Sequence, residues 1–232
     1  MTERPHVASF FPRVETALTD PDGLLAMGGE LSLEWLLDAY RHGIFPWFNP
    51  GEPILWWSPD PRMVLLPGDI RITRSLAKRM RNGGFELRVD TAFAEVMRAC
   101  GAPREGESGT WIFPLMVAAY SRLFDAGYAH SVETWRDGVL VGGLYGVAIG
   151  RMFYGESMFS REPDASKIAL VRLAQQLQQW EFGMIDCQME TAHLSSMGAR
   201  TIPRAAFVAR LAELVNLPHR PGPWTFEFNA PD

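Results

Sequence analysis

Residues 151–190 read RMFYGESMFSREPDASKIALVRLAQQLQQWEFGMIDCQME. The first ten residues form an apolar run with the texture of a buried strand. Residues 164–183 predict a long helix, with Asp164 as its cap. Residues 184–189, MIDCQM, predict a second short strand. Both strands carry polar groups where packing alone calls for none: Glu156 in the first, Asp186 and Gln188 in the second. A buried charge costs several kcal/mol unless it is paired or used. In regular strands Tyr154, Glu156 and Met158 share one face, and so do Asp186 and Gln188. If the strands are neighbours, Glu156, Asp186 and Gln188 converge on one cleft. Each residue alone is better read as a structural ion pair or backbone cap. Three on two strands favour a site.

Working outward, residues 130–160 predict three strands, the first hairpin turning at Asp137-Gly138. Upstream, MVLLP (63–67) and FELRVD (85–90) are strands. TRSLAKRMRNG (73–83), AFAEVMRACG (92–101) and PLMVAAYSRLFDAGY (114–128) are helices. Downstream, residues 193–214 add a loop and a last helix, and the tail after 218 is read as ending in a strand. The glycines of VGGLYGVAIG match neither a phosphate loop nor a dinucleotide fingerprint, and mark bulges or close backbone approach.

Before residue 63 the texture differs. Ser32 caps a short helix, LEWLLDAYRHG. Residues 44–62 hold five prolines between Phe45 and Arg62, a stretch read as an ordered loop that excludes a central strand. The change divides the chain into a small N-terminal domain, 1–62, and a larger one, 63–232. The strand, helix, strand order within 151–190 resembles GCN5-related acyltransferase domains. The expected class is α+β, a small N-terminal α/β domain packed on a GNAT-like C-terminal domain.

With 232 residues, 47% hydrophobic, the chain can bury a real core. Its net charge of -5 requires any nucleic-acid contact to be a local basic patch. The run RITRSLAKRMRNGG is that patch: Arg74, Lys78 and Arg81 share a helical face without an acid among them. Cys100 and Cys187 show no CxxC spacing, the five histidines are scattered, and no GxSxG or HExxH occurs. Cys187 is expected to face away from Asp186 and Gln188, which argues against a thiol nucleophile. No signal-peptide pattern or membrane-length apolar run is read, so a cytoplasmic location is expected. Eight tryptophans supply surface for a core or for stacking on bases.

The strings PDGLLAMGGELS, YRHGIFPWF, ILWWSPDPR, GTWI, AHSVETW, LVGGLYGVAIG, GESMFS, ASKIAL, IDCQ and HLSSMGA closely resemble the leucyl/phenylalanyl-tRNA–protein transferases. They run in family order from about residue 9 to 210. Leu144 stands where some members have Met. The resemblance implies an aminoacyltransferase of the bacterial N-degron pathway. It would move Leu or Phe, and Met less well, from aminoacyl-tRNA to proteins with N-terminal Arg or Lys, marking them for degradation. The aminoacyl ester is already activated, so no ATP, metal or other cofactor is expected.

On that resemblance the residues take roles. The Gln188 carbonyl is expected to align the acceptor amine, which has a pKa of about 8. Asp186 would orient Gln188 and help the proton leave. Glu156 would hold the positive acceptor terminus. Leu144, Met158, Leu170 and Ile185 would form the hole for the donor side chain, Met158 adapting to both Leu and Phe. Trp47 and Trp111, with Tyr40, would stack on the terminal adenosine, although the sequence alone leaves Trp56 and Trp57 equal to them. Arg74, Lys78 and Arg81 would meet the acceptor stem. An acyl-CoA N-acetyltransferase is the first rival, but SREPDASK lacks a glycine-rich pyrophosphate loop. A non-catalytic RNA- or peptide-binding module is the second, and leaves Asp186 and Gln188 idle.

Overall fold

The computed structural model describes residues 9–102 and 111–226. Its class is α+β, as expected, with two sheets. The small one is built from β1 (Leu24–Met27), β2 (Phe45–Pro46) and β3 (Leu55–Trp57) in the order β1-β3-β2. Between β1 and β2 lies α1 (Leu33–Arg41), whose first turn is closed by Ser32 accepting the Trp35 N–H at 3.4 Å. The expectation of a strand-free loop at 44–62 is wrong here. β3 is a central strand, short enough to fit between Pro53 and Pro59 with all its own N–H groups free to pair.

The large sheet follows. Its parts are β4 (Arg62–Leu65), α2 (Arg74–Asn82), β5 (Glu86–Val89), α3 (Phe93–Cys100), α4 (Pro114–Asp125) and β6 (Ala129–Arg136). Then come β7 (Val139–Ile149), β8 (Met152–Ser160), α5 (Ala165–Gln179), β9 (Met184–Gln188), α6 (Ala192–Ser196), β10 (Arg200–Ile202) and α7 (Arg204–Leu214). The order is β10-β4-β9-β8-β7-β6-β5. Every pair is antiparallel except β8 and β9, which α5 joins as a crossover. The hairpin after β6 turns at Asp137 and Gly138, with φ of 50° and 75°, the left-handed pair such a turn requires. α6 and β10 occupy a stretch read as loop, because elements this short carry no periodicity to detect. The described part of the tail, to residue 226, forms no strand, and the remainder lies outside the described residues.

Asp164 does not cap α5 through its side chain. Its φ of 67° is incompatible with the extended backbone of a side-chain cap, and its carboxylate meets Lys167 Nζ at 2.8 Å instead. The Ser166 N–H is taken by Ser160 Oγ at 2.9 Å, so the end of β8 caps the helix that follows it. Gly142 lets α5 lie close on β7, since a side chain there would strike Ala165.

Two apolar cores flank the large sheet. One, on the α1, α3 and α4 side, includes Tyr40, Tyr120, Tyr145 and Tyr154, and extends to Trp56 of the small sheet. The other lies under α5 and includes Phe153, Leu144, Leu170 and Ile185. The alternation along β8 breaks between them. Tyr145 pairs with Ser157 and Gly146 with Gly155, which leaves Glu156 as an extra residue. This bulge is admitted by Gly146, where a side chain would collide with the Tyr154 carbonyl. Beyond it the faces exchange. Met158 packs with the α5 core, opposite Tyr154, so the expected shared face of Tyr154, Glu156 and Met158 does not exist.

Candidate active site

Pairing of β8 with β9 stops at Tyr154 and Asp186. Past that point β8 stays with β7 as far as Ser160, and β9 stays with β4 as far as Gln188. The strands part, and a cavity of about 790 Å³ lies where they do. Glu156, Met158, Ile185, Gln188, Trp47 and Trp111 are among its lining residues.

Glu156 is 8% exposed. Its Oε1 accepts from Gln188 Nε2 at 3.0 Å, and its Oε2 from the Tyr120 hydroxyl at 3.0 Å. The Tyr120 hydroxyl is in turn hydrogen-bonded to that of Tyr40. Burial pushes the Glu156 carboxyl up to about 7; the Tyr40 and Tyr120 hydroxyls pull it down, Asp186 pushes it up and Arg62 pulls it down. The group therefore changes charge near neutrality.

Asp186 sits differently. Arg62 donates to it twice, Nε to Oδ1 at 2.8 Å and Nη2 to Oδ2 at 2.6 Å, with both side chains 1% exposed. The guanidinium is sandwiched by the rings of Phe45 and Phe207, 4.8 and 4.7 Å from their centroids. Asp186 Oδ1 also accepts the backbone N–H of Gln188 at 2.9 Å. Asp186 is absent from the cavity lining. The expectation that it helps the proton leave is corrected by this burial: a doubly bonded, enclosed carboxylate cannot reach a substrate proton. Its hold on Gln188 runs through the backbone.

Gln188 is thus fixed twice, at its N–H by Asp186 and at its amide nitrogen by Glu156. Its φ of 62° follows from a second irregularity, where Met63 pairs with Gln188 and Val64 with Asp186, skipping Cys187. With its amide nitrogen committed to Glu156, the carbonyl oxygen lies on the other side of the planar group. Burial raises the Cys187 thiol far above its ordinary range, with the Asp186 charge adding to the effect, which leaves no thiolate at neutral pH.

Leu144, Met158, Leu170 and Ile185 all line the cavity. Trp47, 42% exposed, stands at the edge, its carbonyl accepting from Trp57 Nε1 at 2.7 Å. Trp56 is fully buried, its Nε1 bonded to the Gly28 carbonyl at 2.8 Å. Tyr40 is 1% exposed and its ring packs on Tyr154, 4.9 Å between centroids. It presents no face to a base, and the stacking expected of it is corrected for that reason. Arg74, Lys78 and Arg81 are exposed along α2. Arg79 points elsewhere and donates to the Pro163 carbonyl at 3.0 Å, tying α2 to the start of α5 beside the cavity. Arg62, Tyr120 and Tyr145 were not foreseen. Arg62 sits in a proline-rich string, and the tyrosines read as ordinary apolar positions of a helix and a strand.

Among the described residues no group of three or more His, Cys, Asp or Glu could hold a metal ion, and no helix is long and apolar enough to cross a membrane.

The sequence model of the leucyl/phenylalanyl-tRNA protein transferase family matches residues 64–212, and that of the family's N-terminal domain matches 29–60. The leucyl/phenylalanyl-tRNA–protein transferase of Thiobacillus denitrificans is 82% identical over 220 residues, covering 95% of this chain and 96% of the relative. That of Nitrosomonas europaea is 62% identical over 221 residues, covering 95% and 94%. Among solved structures, a GCN5-related N-acetyltransferase from Kribbella flavida aligns at a TM-score of 0.36 and 13% identity, covering 72% of this chain and 59% of that one.

Proposed function

The chain belongs to the leucyl/phenylalanyl-tRNA protein transferase family, and from that premise we propose that it moves Leu or Phe, and Met less well, from aminoacyl-tRNA to the N-terminal Arg or Lys of acceptor proteins. The product is marked for degradation by the N-degron pathway, in the cytoplasm. The observation that carries this reading is the Gln188 amide, held by Glu156 at 3.0 Å at the wall of a cavity with an apolar recess beside it.

The donor's Leu or Phe side chain enters the recess of Leu144, Met158, Leu170 and Ile185. Charged side chains are refused there by desolvation. Trp47 and Trp111 stack on the terminal adenosine, a contact worth roughly 1–3 kcal/mol per base. The acceptor stem lies along Arg74, Lys78 and Arg81. The acceptor's amine meets the Gln188 carbonyl, which aims its lone pair at the ester carbon. Glu156 supplies the negative charge that selects a cationic acceptor. Alignment of two bound substrates is the larger part of the catalysis, and the activated ester needs neither ATP nor a metal. Residues 1–62 act as the smaller domain that completes the cleft of 63–232.

The test uses tRNA charged with labelled Phe and two peptides, one beginning with Arg and one with Ala. Label is expected on the Arg peptide alone, without ATP or metal. Equal labelling of both, or of neither, contradicts the reading.

A further inference from the structure

Glu156 is a buried carboxylate served by neutral donors, and those donors are arranged in line. Tyr40 of α1 meets Tyr120 of α4, and Tyr120 meets Glu156 Oε2. Gln188 occupies the other oxygen. The two tyrosines lie 0–1% exposed, and the Tyr154 hydroxyl donates to the Tyr40 carbonyl at 2.7 Å, fixing the helix end that carries Tyr40. From β7, Tyr145 brings a further buried hydroxyl, without a hydrogen-bond partner among the described residues and on the cavity lining. Among the described residues, Asp186 of β9 and Arg62 of β4 act on Glu156 in opposite senses and hold each other, and Arg161 and His193 line the same cavity. Cys100 of α3 lies near Tyr145.

We propose that Glu156 takes the proton from the acceptor's ammonium, and that Tyr120 and Tyr40 are positioning residues that keep Glu156 ionised for that task. This rests on the transferase reading of the cavity. The acceptor amine arrives mostly as ammonium at neutral pH. One of its protons passes to the Glu156 carboxylate, which becomes a carboxyl. The freed lone pair forms the C–N bond to the ester carbon, and the C–O bond to the ribose breaks. The leaving ribose oxygen takes the second proton, which the nitrogen releases as it becomes an amide. Glu156 then returns its proton to water. One ammonium and one ester give one amide, one ribose hydroxyl and one proton.

The tyrosines suit this role because they stay neutral. Burial, then the Glu156 charge, raises both of their hydroxyls well above the ordinary phenol range. Tyr40 donates to Tyr120 and Tyr120 to Glu156, so each bond polarises the next. A base that titrates near the working pH combines the correct protonation state with useful driving force.

Isotope-edited infrared spectra of protein carrying ¹³C-labelled Glu read the carboxyl directly in the free protein. The Glu156 band, identified by its loss in Glu156→Gln, is expected to titrate near 7 in the wild type. In Tyr120→Phe the midpoint should rise by about one unit, and in Tyr40→Phe it should rise as well. The rising limb of kcat/KM against pH should move by the same amounts with an Arg peptide and labelled Phe-tRNA, while Phe-tRNA affinity stays unchanged. If wild type transfers and neither midpoint moves in Tyr120→Phe, this inference fails alone. If the limb follows the acceptor amine's own pKa rather than Glu156, it fails as well. If wild type transfers nothing at any pH, the transferase reading fails, whatever the infrared midpoint.

Discussion

Three buried carboxylates on the large sheet separate structural from functional use at the scale of the residue. Glu133 of β6 is fully buried and collects the N–H and hydroxyl of Thr91, the Ala92 N–H, the Ser131 hydroxyl and Trp135 Nε1. Every lone pair has a donor, and the group serves the entry to α3. Asp186 is neutralised by a two-pronged arginine. Among the described residues Glu156 has neutral hydrogen-bond partners, and a cavity lies beside it. Burial makes it carry its charge at a net cost. A carboxyl whose folded pKa of about 7 lies above its ordinary 4.5 binds its proton more tightly in the fold. Stability from this group therefore falls as pH rises between those values, and the full loss, roughly 3 kcal/mol, is in place above the upper one. Glu156→Gln mimics the neutral form. Its thermal midpoint should exceed that of wild type at pH 8 and nearly match it at pH 4, by calorimetry. Equal midpoints at both pH values would mean that Glu156 is not strained in the fold. The same side chain was legible in the sequence as an oddity, a charge in an apolar run. Its tyrosine partners were not, because a buried hydroxyl looks like packing until its acceptor is known.

At the scale of the element, the sheet irregularities do what alternation cannot. The bulge at Glu156 turns the carboxylate to the tyrosine side while sending Met158 to the α5 side, so one strand furnishes both a charged and an apolar wall. A period-two reading of the sequence placed all of these on one face, and no single residue announces a bulge except a nearby glycine such as Gly146. The long helices, the Asp137-Gly138 hairpin and the strand, helix, strand order were legible because period, caps and turn chemistry agreed. The small sheet was not, because strands of two to four residues between prolines leave no pattern. α2 is a helix whose basic face was read correctly as geometry, and its exposed Arg74, Lys78 and Arg81 carry a prediction of their own. Replacing all three with Ala should lower the slope of log affinity for tRNA against log salt by about 2 to 3, measured by filter binding or anisotropy. An unchanged slope would move the tRNA to another surface.

At the scale of the whole molecule, the site exists because two adjacent strands of one sheet separate. β8 and β9 pair through Tyr154 and Asp186 and then follow different neighbours. The gap joins the two cores, so the polar cluster from one face meets the apolar recess from the other. The small sheet closes the edge by bringing Trp47 to the rim and Phe45 to the buried Arg62. Such convergence depends on strand partners, and no local stretch of sequence states which strands will be neighbours. The central claim is that Gln188, fixed by Asp186 and Glu156, presents its carbonyl to the acceptor amine. Single-turnover transfer with Gln188→Leu tests it most directly, using saturating Phe-tRNA and an Arg peptide. The account predicts a rate lower by about 100-fold or more, with the dissociation constant for Phe-tRNA unchanged. A wild-type rate in that variant would contradict it.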